Sequence, residues 1–454
     1  MKTIGKYVVC GLLGKGGMSK VYKVRLPVIG KIAALKILSP HANLVALLGM
    51  EGIRQRFVGE AITMARLRHL NIVRISDFDE YYGKPYLVME YYCNNLGGII
   101  GESYRIENCS RVLNPAKAIH YTRQILEGLA CLHHAGVIHR DIKPFNILVT
   151  DGDAIKISDF GMSKLRGENL RVPSNLLVGS PYYAAPEQEA DPERVDASAD
   201  LYSVGVMLYR MVTGFLPAAE WNWPSACQPY LDLEWDRFLG KAIKQNRAER
   251  YASAREMLVE LTDLEAAWEQ KKRDACQTTA RVSAPEPIAT GPGLKPALRA
   301  RSIKVRPRQA QDIFRVDELW RPLQYIDNDF RENGDGTVTD ATTGLIWQSA
   351  GSEYPVNWEE AHGYIQEQNQ KGFADRTNWR LPTVEELMSL LTGTTNLEDS
   401  CIEPVFDQDK LWLWSSDRRS HVAAWYVSVD MGFLSWQDFS CRYFVRAVSS
   451  QLSV

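Results

Sequence analysis

The sequence predicts an α+β chain built from two folded parts and a linker, and three observations carry that expectation. Residues 1 to about 268 alternate strand-like and helix-like runs, as a mixed domain with its own core does. Between Ala275 and Gln311 the character changes, with five prolines (285, 287, 292, 296 and 307) and seven Arg or Lys against a single acid, Glu286. Such a stretch buries too little apolar surface to offset the cost of ordering it, so a Pro- and Arg-rich linker is expected over 269–315. Eight of the twelve tryptophans (320, 347, 358, 379, 412, 414, 425 and 436) then fall after residue 315, marking a second, smaller α+β domain over 316–454 with large core anchors.

Size and charge set the outer limits. A chain of 454 residues has room for two or three domains. The 53 basic residues nearly balance the 55 acidic ones, so no nucleic-acid or anionic-membrane partner is expected. No segment has about 18 consecutive apolar residues, and the N-terminus lacks a small-residue cleavage site, so neither a membrane span nor export is expected and the predicted address is cytoplasmic. The eight cysteines (10, 93, 109, 131, 227, 276, 401 and 441) show no C-x-x-C pair and no zinc-type spacing, so reduced thiols are expected.

Chemistry enters at G-L-L-G-K-G-G-M-S-K-V-Y-K-V, residues 11–24. Tyr7 to Leu13 and Val21 to Arg25 suit two strands around a tight turn. Glycines there let the backbone approach phosphate oxygens without a Cβ in the way, so a nucleotide lid and a plain hairpin both fit. Lys36, set in the apolar run Ala33 to Leu38, needs an anionic partner to justify its desolvation. A helix over 52–68, with Phe57, Ala61, Met64 and Ala65 at helical spacing, presents Glu60 as the acid that could supply it.

Further along stand His139-Arg140-Asp141-Ile142-Lys143-Pro144-Phe145-Asn146, then Asp159-Phe160-Gly161, then Ala185-Pro186-Glu187. With these motifs at matching separations, residues 7 to about 265 resemble a protein kinase, most closely the bacterial members of the eukaryotic-type (Hanks-type) Ser/Thr family. Met89-Glu90-Tyr91-Tyr92 fits the hinge, Asp200 to Gly205 the start of a buried helix, and Arg250-Tyr251 the end of the domain.

The resemblance implies a two-lobed protein kinase fold with Mg²⁺-ATP held between the lobes. By it, Lys36 paired with Glu60 holds the α and β phosphates, and Asn146 and Asp159 hold Mg²⁺. Asp141 orients the substrate hydroxyl and accepts its proton, while Lys143 steadies the γ-phosphate and marks Ser/Thr rather than Tyr as acceptor. Gly14 and Gly16 become the lid. Leu13, Val21 and Ala34 cover the adenine from above, Leu148 supports it from below, and the backbone of Glu90 and Tyr92 reads its edge. Ser19 stands where the pattern has a third glycine. The activation segment carries no threonine, only Ser163, Ser174 and Ser180. Ser180 takes the place of a structural threonine. Ser174 is either an autophosphorylation site pairing with Arg140 or part of a loop that orders itself without phosphate.

The basic run Arg299 to Arg308 is expected to be solvated, with docking or autophosphorylation at Ser302 as the alternative. In the second domain, Asn333 to Asp340 is expected to form a β-turn rather than a calcium loop, because Arg331 would fall on a ligand position. Asn357 with Glu360, and Thr383 with Glu386, fit capping boxes. The ordered set D-G-T-V-T-D-x-x-T-G-L-I-W, W-x-E-A, W-R-L-P-T-x-x-E-L and Y-F-V-R-A-V resembles a bacterial domain (DUF1566-like) typified by the C-terminal part of a collagen-like adhesin. That family is similar to the C-type lectin fold. The resemblance implies core roles for the motif tryptophans and a sensing or docking module of unknown ligand. Cys401 and Cys441, 40 residues apart, are not expected to pair.

Together these expectations describe a Mg-ATP-dependent protein Ser/Thr kinase acting on protein substrates, itself included. The alternative is a catalytically silent nucleotide-binding scaffold that works through its C-terminal domain.

Overall fold

The computed structural model describes residues 2–102, 107–160, 164–165, 182–217, 222–279, 298–393 and 400–450. They form two compact units, one of residues 1–112 with 118–267, the other of residues 268–454 with the short stretch 113–117.

The first unit opens with six strands: β1 (Thr3–Ile4), β2 (Tyr7–Lys15), β3 (Ser19–Arg25), β4 (Ile32–Leu38), β5 (Ile75–Tyr81) and β6 (Lys84–Met89). They make one antiparallel sheet in the order β1-β2-β3-β4-β6-β5. Register places Lys36 of β4 opposite Val21 of β3 and Leu87 of β6, so these three side chains share a face. Ala34, two residues before Lys36, shares it too. The other face carries Val24, Leu35, Ile37 and Val88 in a small core with Ile4 and Tyr7.

The helix Met50–Arg66 buries Ile53, Phe57, Ala61 and Met64 along one stripe, with Phe57 and Ala61 packed on Leu38 and Leu87. It starts two residues before the sequence expectation and stops where Leu67 turns extended.

The helices Pro115–His134, Ser198–Thr213, Leu233–Ala242 and Ala254–Thr279 follow along the chain. Ser198–Thr213 is buried on almost every side, the mark of a central helix. At Gly205 a Cβ would stand 2.6 Å from that of Ala242, so glycine is what lets the 233–242 helix approach this closely. Among the described residues no helix is long and apolar enough to cross a membrane.

The second unit holds two antiparallel sheets. One runs Phe330–Glu332, Thr337–Asp340, Leu345–Gln348 and Val448–Ser450, the other Trp412–Arg418, Ala423–Ser428 and Phe433–Asp438. The helices Trp358–Lys371 and Val384–Ser389 begin with the expected capping boxes, Asn357 with Glu360 and Thr383 with Glu386. Residues 333–336 turn between paired strands, as expected, with Gly334 and Gly336 at φ 78° and 83°. Five of the eight tryptophans, 347, 379, 412, 414 and 425, are at most 2% exposed and serve as core anchors.

The linker bounds need correction at both ends. The helix Ala254–Thr279 runs without a break past residue 269, carried by buried Met257, Leu261, Leu264 and Trp268 at helical spacing. On the other side, Pro307–Phe314 is a helix, and Val305, Ala310 and Phe314 lie in the core of the second unit. Averaged composition hid these few apolar positions, each of which meets a partner far away in sequence.

Cys401 is a buried free thiol and does not pair with Cys441.

Candidate active site

Lys36 is 5% exposed, and a buried ammonium is costly unless paired. Its Nζ donates to Glu60 Oε1 at 2.6 Å and to Asp159 Oδ1 at 2.9 Å. Burial alone lowers the pKa of the amine, but the two carboxylates outweigh it and raise the value above the ordinary lysine range. Burial pushes Glu60 upward against the pull of Lys36.

Asp159 differs from Glu60. Its side chain is about half exposed, its backbone is left-handed at φ 63°, and Lys36 holds its carboxyl down at about 2. For a depressed carboxylate the stabilisation is full above the ordinary value, near 3.8, and drains as pH falls towards 2. The stability difference between the protein and its Asp159→Asn variant is therefore expected to be constant from about pH 5 to 8 and to shrink below about pH 4. Denaturant titrations across that range check it.

Asp141 follows two residues that fix its position. His139 is fully buried, its ring 5.0 Å from that of Phe160, and its Nε2 lies 3.1 Å from the Ser158 carbonyl. Arg140 has φ 67°. Asp141 Oδ2 accepts from Lys143 Nζ at 2.7 Å and from Asn146 Nδ2 at 2.9 Å, and Asn146 Nδ2 also reaches the Asp141 carbonyl at 2.7 Å. Asp141 Oδ1 is buried and has no hydrogen-bond partner among the described residues. A carboxylate oxygen held this way is an acceptor kept open.

Two groups that sequence reasoning did not place in the site hold this loop. Asp200, fully buried, accepts the His139 and Arg140 N–H groups at 2.9 and 2.8 Å and meets His133 Nε2 at 2.8 Å. Burial pushes its pKa up, but the His133 contact and the other donors prevail and it is lowered. Gln188 Nε2 donates to the Arg140 carbonyl at 2.8 Å while its Oε1 accepts from Ala185 N at 3.1 Å. The available signal was a carboxylate in the first turn of an otherwise apolar helix. Glu187 forms a two-pronged pair with Arg250 at 2.7 and 2.9 Å, which fastens the A-P-E segment to the end of the domain.

The remaining predicted site residues fall as follows. A Cβ added at Gly14 would meet nothing within 4 Å, and one at Gly16 only the Ser19 carbonyl at 3.8 Å. Internal packing therefore does not demand glycine at either position. Ser19 begins β3, and its carbonyl accepts from Gly16 N at 2.9 Å, closing the turn. Leu13 is exposed, Val21 and Leu148 are partly exposed and Ala34 is buried. Glu90 and Tyr92 follow directly after β6; the Glu90 carboxylate accepts from Arg74 N at 3.2 Å. Gly161, Ser163, Ser174 and Ser180 lie outside the described residues. The structure thus brings Lys36, Glu60 and Asp159 into one group and Asp141, Lys143 and Asn146 into another.

Residues 7–276 match the protein kinase domain family, and the chain belongs to that family. Residues 336–449 match the Lcl C-terminal domain. A probable serine/threonine-protein kinase of Streptomyces coelicolor is 34% identical over 278 residues, 57% of this chain and 39% of that protein. The serine/threonine-protein kinase PksC of the same organism is 36% identical over 276 residues, 56% of this chain and 48% of its own length. The chain therefore spans less than half of either relative. The crystal structure of a double mutant of the PknI kinase domain from Mycobacterium tuberculosis is 27% identical, covers 58% of this chain and 97% of its own, and superposes with a TM-score of 0.45.

Proposed function

We propose that this chain is a protein Ser/Thr kinase, transferring the γ-phosphate of Mg-ATP to serine and threonine hydroxyls of proteins, its own included. The observation that carries it is Asp141 Oδ1 beside Lys143 and Asn146, a buried acceptor with no hydrogen-bond partner among the described residues. It suits a substrate hydroxyl that must be oriented and relieved of its proton.

The side chains fit the cofactor. Lys36 is the cation for the phosphates, oriented by Glu60, and half-exposed Asp159 with Asn146 supplies the oxygen ligands that Mg²⁺ prefers. Gly14 and Gly16, free of internal packing demands, suit a backbone lying against phosphates, and Leu13, Val21, Ala34 and Leu148 offer apolar surface to a base. The peptide groups of Glu90 and Tyr92 would read the base edge. Bound Mg-ATP supplies the phosphoryl group and neutralises its charge. Asp141 takes the hydroxyl proton, and Lys143 steadies the group in flight. No geometry favours the silent scaffold, since all five residues are present, Lys36 meeting Glu60 and Asp159 and Asp141 meeting Asn146.

Residues 316–454 are read as a lectin-like sensing or docking module, on the motif resemblance and the match to the Lcl C-terminal domain. Its ligand is not assigned.

The test is transfer of labelled γ-phosphate from Mg-ATP to the protein and to a generic Ser/Thr substrate. Label on phosphoserine or phosphothreonine that vanishes on adding EDTA is expected. ATP binding without any transfer would return the scaffold to favour.

A further inference from the structure

The stretch 298–305, which composition assigned to a linker, is fastened to the rest of the second unit around one buried carboxylate, Asp417, with Arg299 also 3.5 Å from Glu385. Asp417, whose side chain is fully buried, accepts from Arg299 Nη1 and Nη2 at 2.9 and 2.8 Å, from Ile303 N at 2.7 Å and from Val384 N at 2.8 Å. The strap then pairs with the strand Trp412–Arg418: Arg418 N donates to the Ile303 carbonyl and Val305 N to the Arg418 carbonyl, both at 2.9 Å. Trp425 Nε1 closes it with a bond to the Val305 carbonyl at 3.2 Å.

Between the two anchors sits Ser302, exposed, its hydroxyl bonded to none of the described residues. Arg299, Arg301, Lys304 and Arg306 surround it in sequence. One small nucleophile is thus left open on a strap whose neighbours on both sides, Arg299 and Ile303, bond the same buried anion.

We infer that Ser302 is a phosphorylation site of this kinase and that phosphate on it unfastens the strap from Asp417; this rests on the kinase function proposed above. In the transfer, Ser302 Oγ bonds to the γ-phosphorus of ATP and the bridging β–γ P–O bond breaks. ADP leaves with the electron pair, and the hydroxyl proton passes to Asp141 and on to solvent. The product carries a charge of about −1.5 to −2 one residue from the N–H that reaches Asp417. That charge repels the buried carboxylate. It also offers Arg299, three residues before it, exposed phosphate oxygens in place of Asp417. Both effects act on the three bonds from the strap to Asp417, so that anchor loosens as a unit. The gate runs in the other direction too, because residues flanking Ser302 must leave the strap before an active site can take them.

The experiment incubates the full chain with Mg-ATP and maps phosphopeptides by mass spectrometry, beside Asp141→Asn and Ser302→Ala. Phospho-Ser302 in the wild type, absent from both variants, is expected. Phosphate on other residues but never on Ser302 overturns this inference and leaves the kinase function standing. No phosphate on the protein or on a generic substrate overturns both. For the release, amide hydrogen exchange at Ile303 and Val305 is expected to quicken about tenfold or more in the phosphorylated protein and in Ser302→Glu, with exchange around Trp347 unchanged. Protection that stays equal or rises after phosphorylation overturns the unfastening.

Discussion

Asp141→Asn is expected to lower kcat for phosphoryl transfer by about 10²- to 10⁴-fold while leaving ATP affinity unchanged. The substitution is nearly isosteric. The amide oxygen of asparagine can take the place of Asp141 Oδ2 and keep the contacts from Lys143 Nζ at 2.7 Å and Asn146 Nδ2 at 2.9 Å. Its NH₂ end then occupies the position of the unpartnered Oδ1. A donor then replaces an acceptor at the atom proposed to take the substrate hydroxyl proton, and the proton has nowhere to go. Steady-state transfer assays with calorimetric ATP titration separate the two effects. Retention of full kcat by a correctly folded variant would remove Asp141 from the role of base.

Asp200→Ala is expected to show the largest loss of stability of any single change around the site, about 3–5 kcal/mol. The reason is accounting of donors rather than packing. The His139 and Arg140 N–H groups, bonded at 2.9 and 2.8 Å, would be stranded in a fully buried place, and His133 would lose its 2.8 Å partner. Each unpaired buried donor costs roughly 1–3 kcal/mol, and a domain has only about 5–15 kcal/mol to lose. Urea denaturation of the variant checks the figure. Asp200→Asn, which keeps one acceptor oxygen, is expected to fall between the two. Activity should fall in both variants even where they remain folded, because the loop from His139 to Asp141 takes its position from these bonds.

Much of the catalytic constellation was legible beforehand, and for a definite reason. The proposed phosphoryl transfer needs particular residue types at particular separations, so Lys36, Asp141, Lys143, Asn146 and Asp159 stand out in one dimension as candidates, and the fold gathers them into two hydrogen-bonded groups. Glu60 was legible through helical spacing, since burial of Phe57, Ala61 and Met64 turns the same helix towards Lys36. The capping boxes at Asn357 and Thr383 were readable because both partners lie within one turn. Gln188 and His133 were not, because each acts through a hydrogen bond to a residue 48 or 67 positions away.

The basic run after residue 298 shows the limit most clearly. As sequence it is an open, solvated tract, and charge patterning says nothing more. In the folded chain Arg299 meets Asp417, 118 residues on, and Val305 enters a core. The residues of this protein by themselves determined its membership of the protein kinase family, its two-part organisation and its local helix starts, because motif spacing and short-range geometry are written in adjacent or regularly spaced side chains. Only the tertiary structure decided where the second unit begins, which carboxylate holds the catalytic loop and which one holds the strap. Those outcomes depend on which distant groups share a buried space, where an unpaired charge is too costly to leave and only the folded chain supplies the partner.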